Sequence, residues 1–289
     1  MKFDPREFLH QQRQALHNRL VTGWKSQAVF EFIAFGIKEA WACLFGALML
    51  TILLLTFLFY PENAPLPRYD FITIAAIIIQ CLLLLLKLET FEEARIIFVF
   101  HVVGTVMEIF KTHVGSWVYP EPSYLNILGV PMFSGFMYAS VGSYIARIWR
   151  IFDFKFDRFP PLKWQALLAT LVYINFFSHH YTVDIRMALF LGSAILYGPA
   201  MIWFKADEKH RCMPLIVGLF LVATFIWFAE NIATYAKAWT YPSQKEGWHM
   251  VSFSKLGSWY LLMLISFVLV AWVHKPVDRR SSNQLSEKN

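Results

Sequence analysis

Residues 39–60 read EAWACLFGALMLTILLLTFLFY, and after Glu39 no charge interrupts them. A helix of this length covers about 30 Å, the thickness of a bilayer's hydrocarbon core. A helix on a water-exposed surface would carry a polar stripe, and this stretch has only two threonines to offer one. It reads as a membrane span. Seven further segments, near 70–88, 93–113, 127–149, 163–180, 184–204, 212–236 and 256–274, are apolar over comparable lengths. The expected fold is therefore all-α, a polytopic membrane bundle of about eight transmembrane helices.

Composition agrees with that expectation. The 289 residues are 57% hydrophobic and 16% charged, with a mean hydropathy of +0.46, and they include 28 Phe, 11 Trp and 12 Tyr. A soluble domain has about a quarter charged residues, so too few are present to cover a water-facing surface. Residues 1–38 hold Lys2, Arg6, Arg13, Arg19, Lys25 and Lys38 with no long apolar run, so no secretory signal is read and the first span is an uncleaved anchor. Cys43, Cys81 and Cys212 fall in or beside apolar segments without metal-ligand spacing and read as small buried hydrophobes.

Basic residues orient the spans. With both termini and alternate loops placed in the cytoplasm, 20 of the 26 Lys and Arg lie inside, and Arg68, Lys111, Arg186, Lys237, Lys245 and Lys255 lie outside. That asymmetry obeys the positive-inside rule, and a seven-span map would put the basic tail outside. The net charge of +6 is then a matter of topology. It implies membrane lipids as partners and no nucleic acid. The expected layout is a cytoplasmic amphipathic segment at 1–38, a transmembrane bundle at 39–276 and a disordered cytoplasmic tail at 277–289. Within the first segment, Phe8, Leu9, Leu16, Leu20, Trp24, Val29 and Phe30 alternate with polar residues over 5–36, as in an interfacial helix. Docking of a partner there is an alternative.

An internal repeat is the most informative pattern. Residues 108–120, EIFKTHVGSWVYP, and residues 230–242, ENIATYAKAWTYP, both read E-x3-T-x4-W-x-Y-P at an offset of 122 residues, and Gly135 and Tyr138 match Gly257 and Tyr260 at the same offset. Four spans separate the copies, so both run from inside to outside. Two parallel four-helix halves are expected, about 39–150 and 163–276.

Trp117, Tyr119, Trp239 and Tyr241 fit an interfacial aromatic belt. Glu108 and Glu230 do not, because each lies inside its span, where an ionised carboxylate is costly unless paired or wet. His101, Thr105, Glu108 and Thr112 share one helix face; Thr224, Trp227, Glu230, Asn231 and Thr234 form a similar stripe. Glu108 and Glu230 are thus the candidate acid/base pair, with His101, Thr112, Trp117, Tyr119, Asn231, Thr234, Trp239 and Tyr241 as candidate substrate-binding residues. Two carboxyls in one apolar cavity would share a proton. The plainer alternative is that each glutamate only ties its helix to a neighbour.

Asn175, His179, His180, Asp184, His113, Lys111, Lys237 and His249 gather on the outer side by topology. Imidazole with carboxylate suits Zn²⁺ or Fe²⁺, but no H-x3-H or H-E-x-x-H pattern occurs, and neither does a Gly-rich phosphate loop, a G-x-S-x-G elbow or a C-x-x-C pair. No metal and no cofactor are expected. Gly135, Ala139 and Ser143 form a small-residue stripe for close helix approach. Arg147, Arg150, Asp153, Lys155, Asp157 and Arg158 read as an ordinary cytoplasmic loop.

The stretches 104–121, 129–144 and 229–239 carry a family likeness. The chain resembles the bacterial integral membrane family known as domain of unknown function eight-one-seven, over most of its length after about residue 25. That likeness implies a multi-pass protein of a bacterial plasma (inner) membrane. A fainter similarity, in fold and chemistry only, is to the integral membrane carotenoid hydratases and cyclases, which implies protonation of a double bond by intramembrane carboxylates. Three readings follow: an enzyme acting on a lipid or isoprenoid, a proton-coupled small-solute carrier, and a non-catalytic scaffold.

Overall fold

Helix α1, Trp24–Ala42, and helix α2, Leu44–Phe59, meet at Cys43 with a bend of 66° in the computed structural model, which describes residues 23–274 and Pro276. The first part of the expected amphipathic segment and the tail at 277–289 lie outside the described residues. What is described of that segment, α1, carries an outward face of Val29, Phe32, Ile33 and Ile37. Its other face is tied down: Glu31 accepts from Arg211 at 2.7 Å, Phe35 packs on Phe152, and the Lys38 ammonium donates to the carbonyls of Ile151 and Lys205.

Each of the eight apolar segments contains one helix. After α2 come α3 (Arg68–Leu85), α4 (Phe91–His113), α5 (Phe133–Ile151), α6 (Leu162–Ser178), α7 (Arg186–Tyr197), α8 (Leu215–Tyr235) and α9 (Phe253–His274). Three of them, α3, α8 and α9, are long and apolar enough to cross a membrane, and a fourth span results if the bent α1–α2 pair counts as one. The fold is mostly helical, with apolar helices suited to a membrane.

Four expectations are corrected. The fold is not purely helical. The segment read as one span over 184–204 holds only the 12-residue α7, about 18 Å long. Gly198 and Pro199 end it, because proline has no N–H to continue the ladder, and Met201–Lys205 instead forms the middle strand β4 of a sheet. β4 pairs antiparallel with β3 (Lys155–Asp157) and with β5 (His210–Pro214), Trp203 facing both Lys155 and Cys212. A second small hairpin, Asn126–Ile127 with Val130–Pro131 (β1 and β2), precedes α5. The three cysteines, expected inside, are exposed on the outer surface, where an apolar thiol suits lipid as well as it suits a core. Finally, Arg147 and Arg150 belong to α5. Arg147 is wholly buried and its guanidinium meets Glu89 at 2.7 Å, while Arg150 pairs with Glu93 at 3.2 Å.

Small residues set the packing. A Cβ added at Gly104 would lie 2.5 Å from Tyr138 Cβ, and one at Gly135 would lie 2.5 Å from His101 Nδ1 and Thr105 Oγ1. Their missing side chains let α4 and α5 approach so closely, with Ala139 and Ser143 buried along the same seam. Elsewhere α8 packs on α9, and α5 and α9 pack on each other. Helix α2 lies against α3 and α5, as α6 lies against α7 and α9.

Candidate functional site at the paired glutamates

Helix α4 starts where its sequence says it should. Thr90 Oγ1 accepts from the Glu93 N–H at 3.2 Å, and Glu93 Oε2 accepts from the Thr90 N–H at 2.7 Å, a reciprocal capping box. It ends at Gly115 (φ +72°), where the N–H groups of Gly115 and Ser116 return to the carbonyls of Thr112 and Lys111. Helix α8 ends identically 122 residues later. Lys237 takes the left-handed position (φ +54°), and the N–H groups of Lys237 and Ala238 return to Thr234 and Ala233.

These turns swing the chain back over the glutamates. Glu108 is buried and accepts three bonds: Trp117 Nε1 and the Tyr119 hydroxyl donate to Oε2 at 2.7 and 2.6 Å, and the Tyr138 hydroxyl donates to Oε1 at 2.9 Å. Glu230, equally buried, accepts a short bond from the Tyr241 hydroxyl on Oε1 and one from Trp259 Nε1 on Oε2 at 2.8 Å. In each copy the tyrosine eleven residues after the glutamate is a donor. Burial first, and then the adjoining carboxylate, hold the Tyr119 and Tyr241 hydroxyls well above the usual phenol range, so both stay protonated donors. The belt role expected for these aromatic residues is thus corrected for Trp117, Tyr119 and Tyr241, whose polar atoms turn inward to the carboxyls.

The two copies touch. Val118 donates to the Thr240 carbonyl at 3.0 Å and Thr240 donates back to Val118 at 2.9 Å. Residues 118 and 240 occupy the same place in the two motif copies, and they form a single antiparallel bridge. The Trp117 and Tyr241 rings meet edge to face, centroids 5.9 Å apart.

An apolar cleft of about 30 Å³ lies between α4, α5, α8 and α9, lined among others by Phe100, Gly104, Met107, Ile226, Tyr138 and Trp259. That is room for one or two water-sized molecules. Its walls matter more than its size, because Tyr138 and Trp259, rings 6.4 Å apart, are the very residues that donate to Glu108 and Glu230.

The other candidates divide. Asn231 Oδ1 accepts from the Val251 N–H at 2.8 Å and Thr234 Oγ1 accepts from Trp248 at 3.1 Å, so both hold the loop that follows α8. Trp239 packs beside Tyr241 without a bond to Glu230 matching the one that Trp117 makes. Thr112 turns its hydroxyl back to the Glu108 carbonyl, and His101 faces Phe136 and the Gly135 backbone on α5. Thr224 is half-buried and bonded to its own helix. Asn175 and Asp184 do meet, at 3.0 Å, whereas His113 is exposed. Among the described residues no group of three His, Cys, Asp or Glu gathers as a metal site.

Two features escaped the sequence reading. Tyr138 was visible only as a repeat match, and nothing local marks Trp259 as the partner of Glu230. The start of α3 also braces both copies. Arg68 grips Glu121 with two bonds of 2.6 and 2.8 Å and reaches the Lys237 carbonyl at 3.1 Å, while Asp70 accepts from Ser123, Tyr124 and Leu125.

The family model described as "Protein of unknown function (DUF817)" matches residues 31–267, a span that includes both copies of the repeated motif. The chain belongs to this family. It is also similar to the "Uncharacterized protein YoaT" of Bacillus subtilis (strain 168), 39% identical over 85% of this chain and 92% of that one. No solved structure matches it. Within the family's matched span, the non-glycine left-handed residue Lys237 is the place where the two motif copies differ in backbone cost. Lys237→Gly is expected to raise stability by about 0.5–1 kcal/mol, read as a higher melting temperature of the detergent-solubilised protein. An unchanged or lower value would show that the Lys237 turn is held without strain.

Proposed function

We propose that this protein is a multi-pass enzyme of the bacterial plasma membrane that acts on a lipid or isoprenoid by acid/base chemistry at Glu108 and Glu230. Eight segments cross the bilayer in this reading, the one at the short α7 being completed by the chain on either side of the helix, in two parallel halves with both termini cytoplasmic. The packing pairs support the halves, since α2 on α5 is answered by α6 on α9, and α4 on α5 by α8 on α9. A cytoplasm-dependent fluorescent reporter fused after residue 289 should then be bright.

One observation carries the chemistry: one donor to each carboxyl, Tyr138 to Glu108 and Trp259 to Glu230, is also a wall of the apolar cleft between the halves. A hydrocarbon chain widening that cleft reaches the carboxyls only past Tyr138 and Trp259. Of two interacting buried carboxyls, one holds a proton. Its O–H bond breaks as the proton passes to an alkene carbon. The cation so formed faces the Trp and Tyr rings and either yields a proton to the partner carboxylate or is captured by a water molecule that gives its proton to that carboxylate.

A second reading has its own support. All four carboxyl oxygens are already donated to from within their own half, so each glutamate could serve only as a clasp that ties its helix to its neighbours in a non-catalytic scaffold. Lipid extracts of cells carrying the wild-type gene, no gene, Glu108→Gln or Glu230→Gln decide between them. The enzyme reading expects a lipid species that changes with the wild-type gene and not with either variant, at equal protein level. Identical extracts in all four strains would favour the clasp.

A further inference from the structure

Beside the clasp lies a group of cations that the acid/base reading leaves unused. Lys111, 4% exposed, sits inside the bundle on α4. Its ammonium lies over the Phe176 ring at 4.2 Å and donates to His180 Nε2 at 2.8 Å, which makes that nitrogen the unprotonated one. The Lys255 ammonium, at the start of α9, rests over Tyr241 at 4.3 Å and Trp117 at 5.3 Å. Arg186, at the start of α7, pairs with Asp184 at 2.7 Å and reaches Ser258 on α9. The charges of Lys111, Lys255 and Arg186 act on one another.

The acids nearby do not balance them. Asp184, on the same loop as His180, is bound by Arg186 and by Asn175. Glu108 and Glu230 attract Lys255 from a distance, their oxygens being occupied by aromatic donors. Among the described residues neither Lys111 nor Lys255 takes part in an ion pair. A buried ammonium facing only a neutral imidazole and an aromatic ring is costly and favours an anion that completes it.

We infer that Lys111, Lys255, Arg186 and His180 form a binding site for a phosphate or diphosphate group beside the paired glutamates. Three cations against Asp184 and the one ionised carboxyl of the glutamate pair leave the cluster net positive, so it takes an anion. Ammonium and guanidinium donors from three helices also suit an anion with oxygens pointing in several directions. The inference rests on the lipid-enzyme reading in naming a substrate class: an isoprenoid or lipid whose anionic head sits on these cations while its hydrocarbon enters the cleft past Tyr138 and Trp259. The same chemistry would take a free phosphate or diphosphate ion.

The test uses the full chain purified in detergent, titrated calorimetrically with inorganic diphosphate, farnesyl diphosphate and farnesol. Wild-type protein is expected to bind farnesyl diphosphate at least tenfold more tightly than farnesol, and Lys111→Met and Lys255→Gln each to weaken it about tenfold or more. Stronger binding of farnesyl diphosphate than of inorganic diphosphate identifies a lipid head as the source, and equal binding identifies a free anion; both support the site. Lys111→Met keeps the bulk and removes the uncompensated charge, so its ligand-free melting temperature should not fall, which separates lost binding from lost folding. Absence of anion binding, or binding untouched by both substitutions, overturns the inference. Glu108→Gln should bind the anion within about twofold of wild type. Lysine-dependent binding with lipid extracts indifferent to the glutamates would therefore sink the acid/base reading and leave this site standing.

Discussion

Arg147→Met should destabilise the protein by about 3–5 kcal/mol, the cost of leaving one member of a buried ion pair alone. The pair could hardly be more enclosed, since neither side chain has exposed surface. Glu89 also accepts from Ser143 at 2.7 Å, and Arg147 donates to the Trp41 carbonyl at 3.0 Å. One guanidinium thus joins the α1–α2 junction, the turn between α3 and α4, and helix α5. Adding Glu89→Gln to Arg147→Met removes the stranded charge while keeping an acceptor for Ser143, so most of the loss should return. Melting of the wild type and the two variants in detergent, followed by tryptophan fluorescence, provides the comparison. A single variant as stable as wild type would mean that water or lipid headgroups reach this carboxylate.

The second large effect is expected at Glu108. Glu108→Ala strands three buried donors, Trp117 Nε1–H and the hydroxyls of Tyr119 and Tyr138, whereas Glu230→Ala strands two. Each stranded donor costs roughly 1–3 kcal/mol, lowered where a hydroxyl finds another acceptor. Both substitutions should be severe, with Glu108→Ala the worse. Double-mutant cycles sharpen the point. Glu108 with Tyr119→Phe and Glu230 with Tyr241→Phe should show coupling of similar size, because these bonds repeat in the two copies. Glu108 with Tyr138→Phe should couple, while Glu230 with Tyr260→Phe should not, since the Tyr260 hydroxyl is with Ser193 instead. The reverse order of damage, or coupling at Tyr260, would contradict the asymmetry between the copies.

That asymmetry shows how far a repeat can be read. The pattern E-x3-T-x4-W-x-Y-P marked both glutamates and both tyrosines that bind them. It also suggested equal roles for Trp117 and Trp239, yet Trp259 supplies the second donor to Glu230. No local pattern distinguishes these cases, because the choice of donor depends on how α9 is turned against α8. Arg147 teaches the same lesson from the other side. It stands among Arg150, Asp153 and Lys155, and a charge-rich run reads as solvated until a partner from another turn is known. The strands at 201–205 and 210–214 were hidden for a related reason: a short apolar run is compatible with helix and strand alike, and only its pairing with Lys155–Asp157 decides.

The sequence alone determined that the chain is mostly helical, where its eight apolar helices lie and which acidic residues stand out within them. Those properties follow from the length of each apolar run and from the cost of a carboxylate in an apolar helix, both of which act within one segment. Only the tertiary structure decided that the motif copies exchange hydrogen bonds through Val118 and Thr240, that Arg147 meets Glu89, and that Lys111 faces His180 without an acid. A buried polar group must find its partner wherever packing brings one, and here the partners are 58 to 122 residues away along the chain.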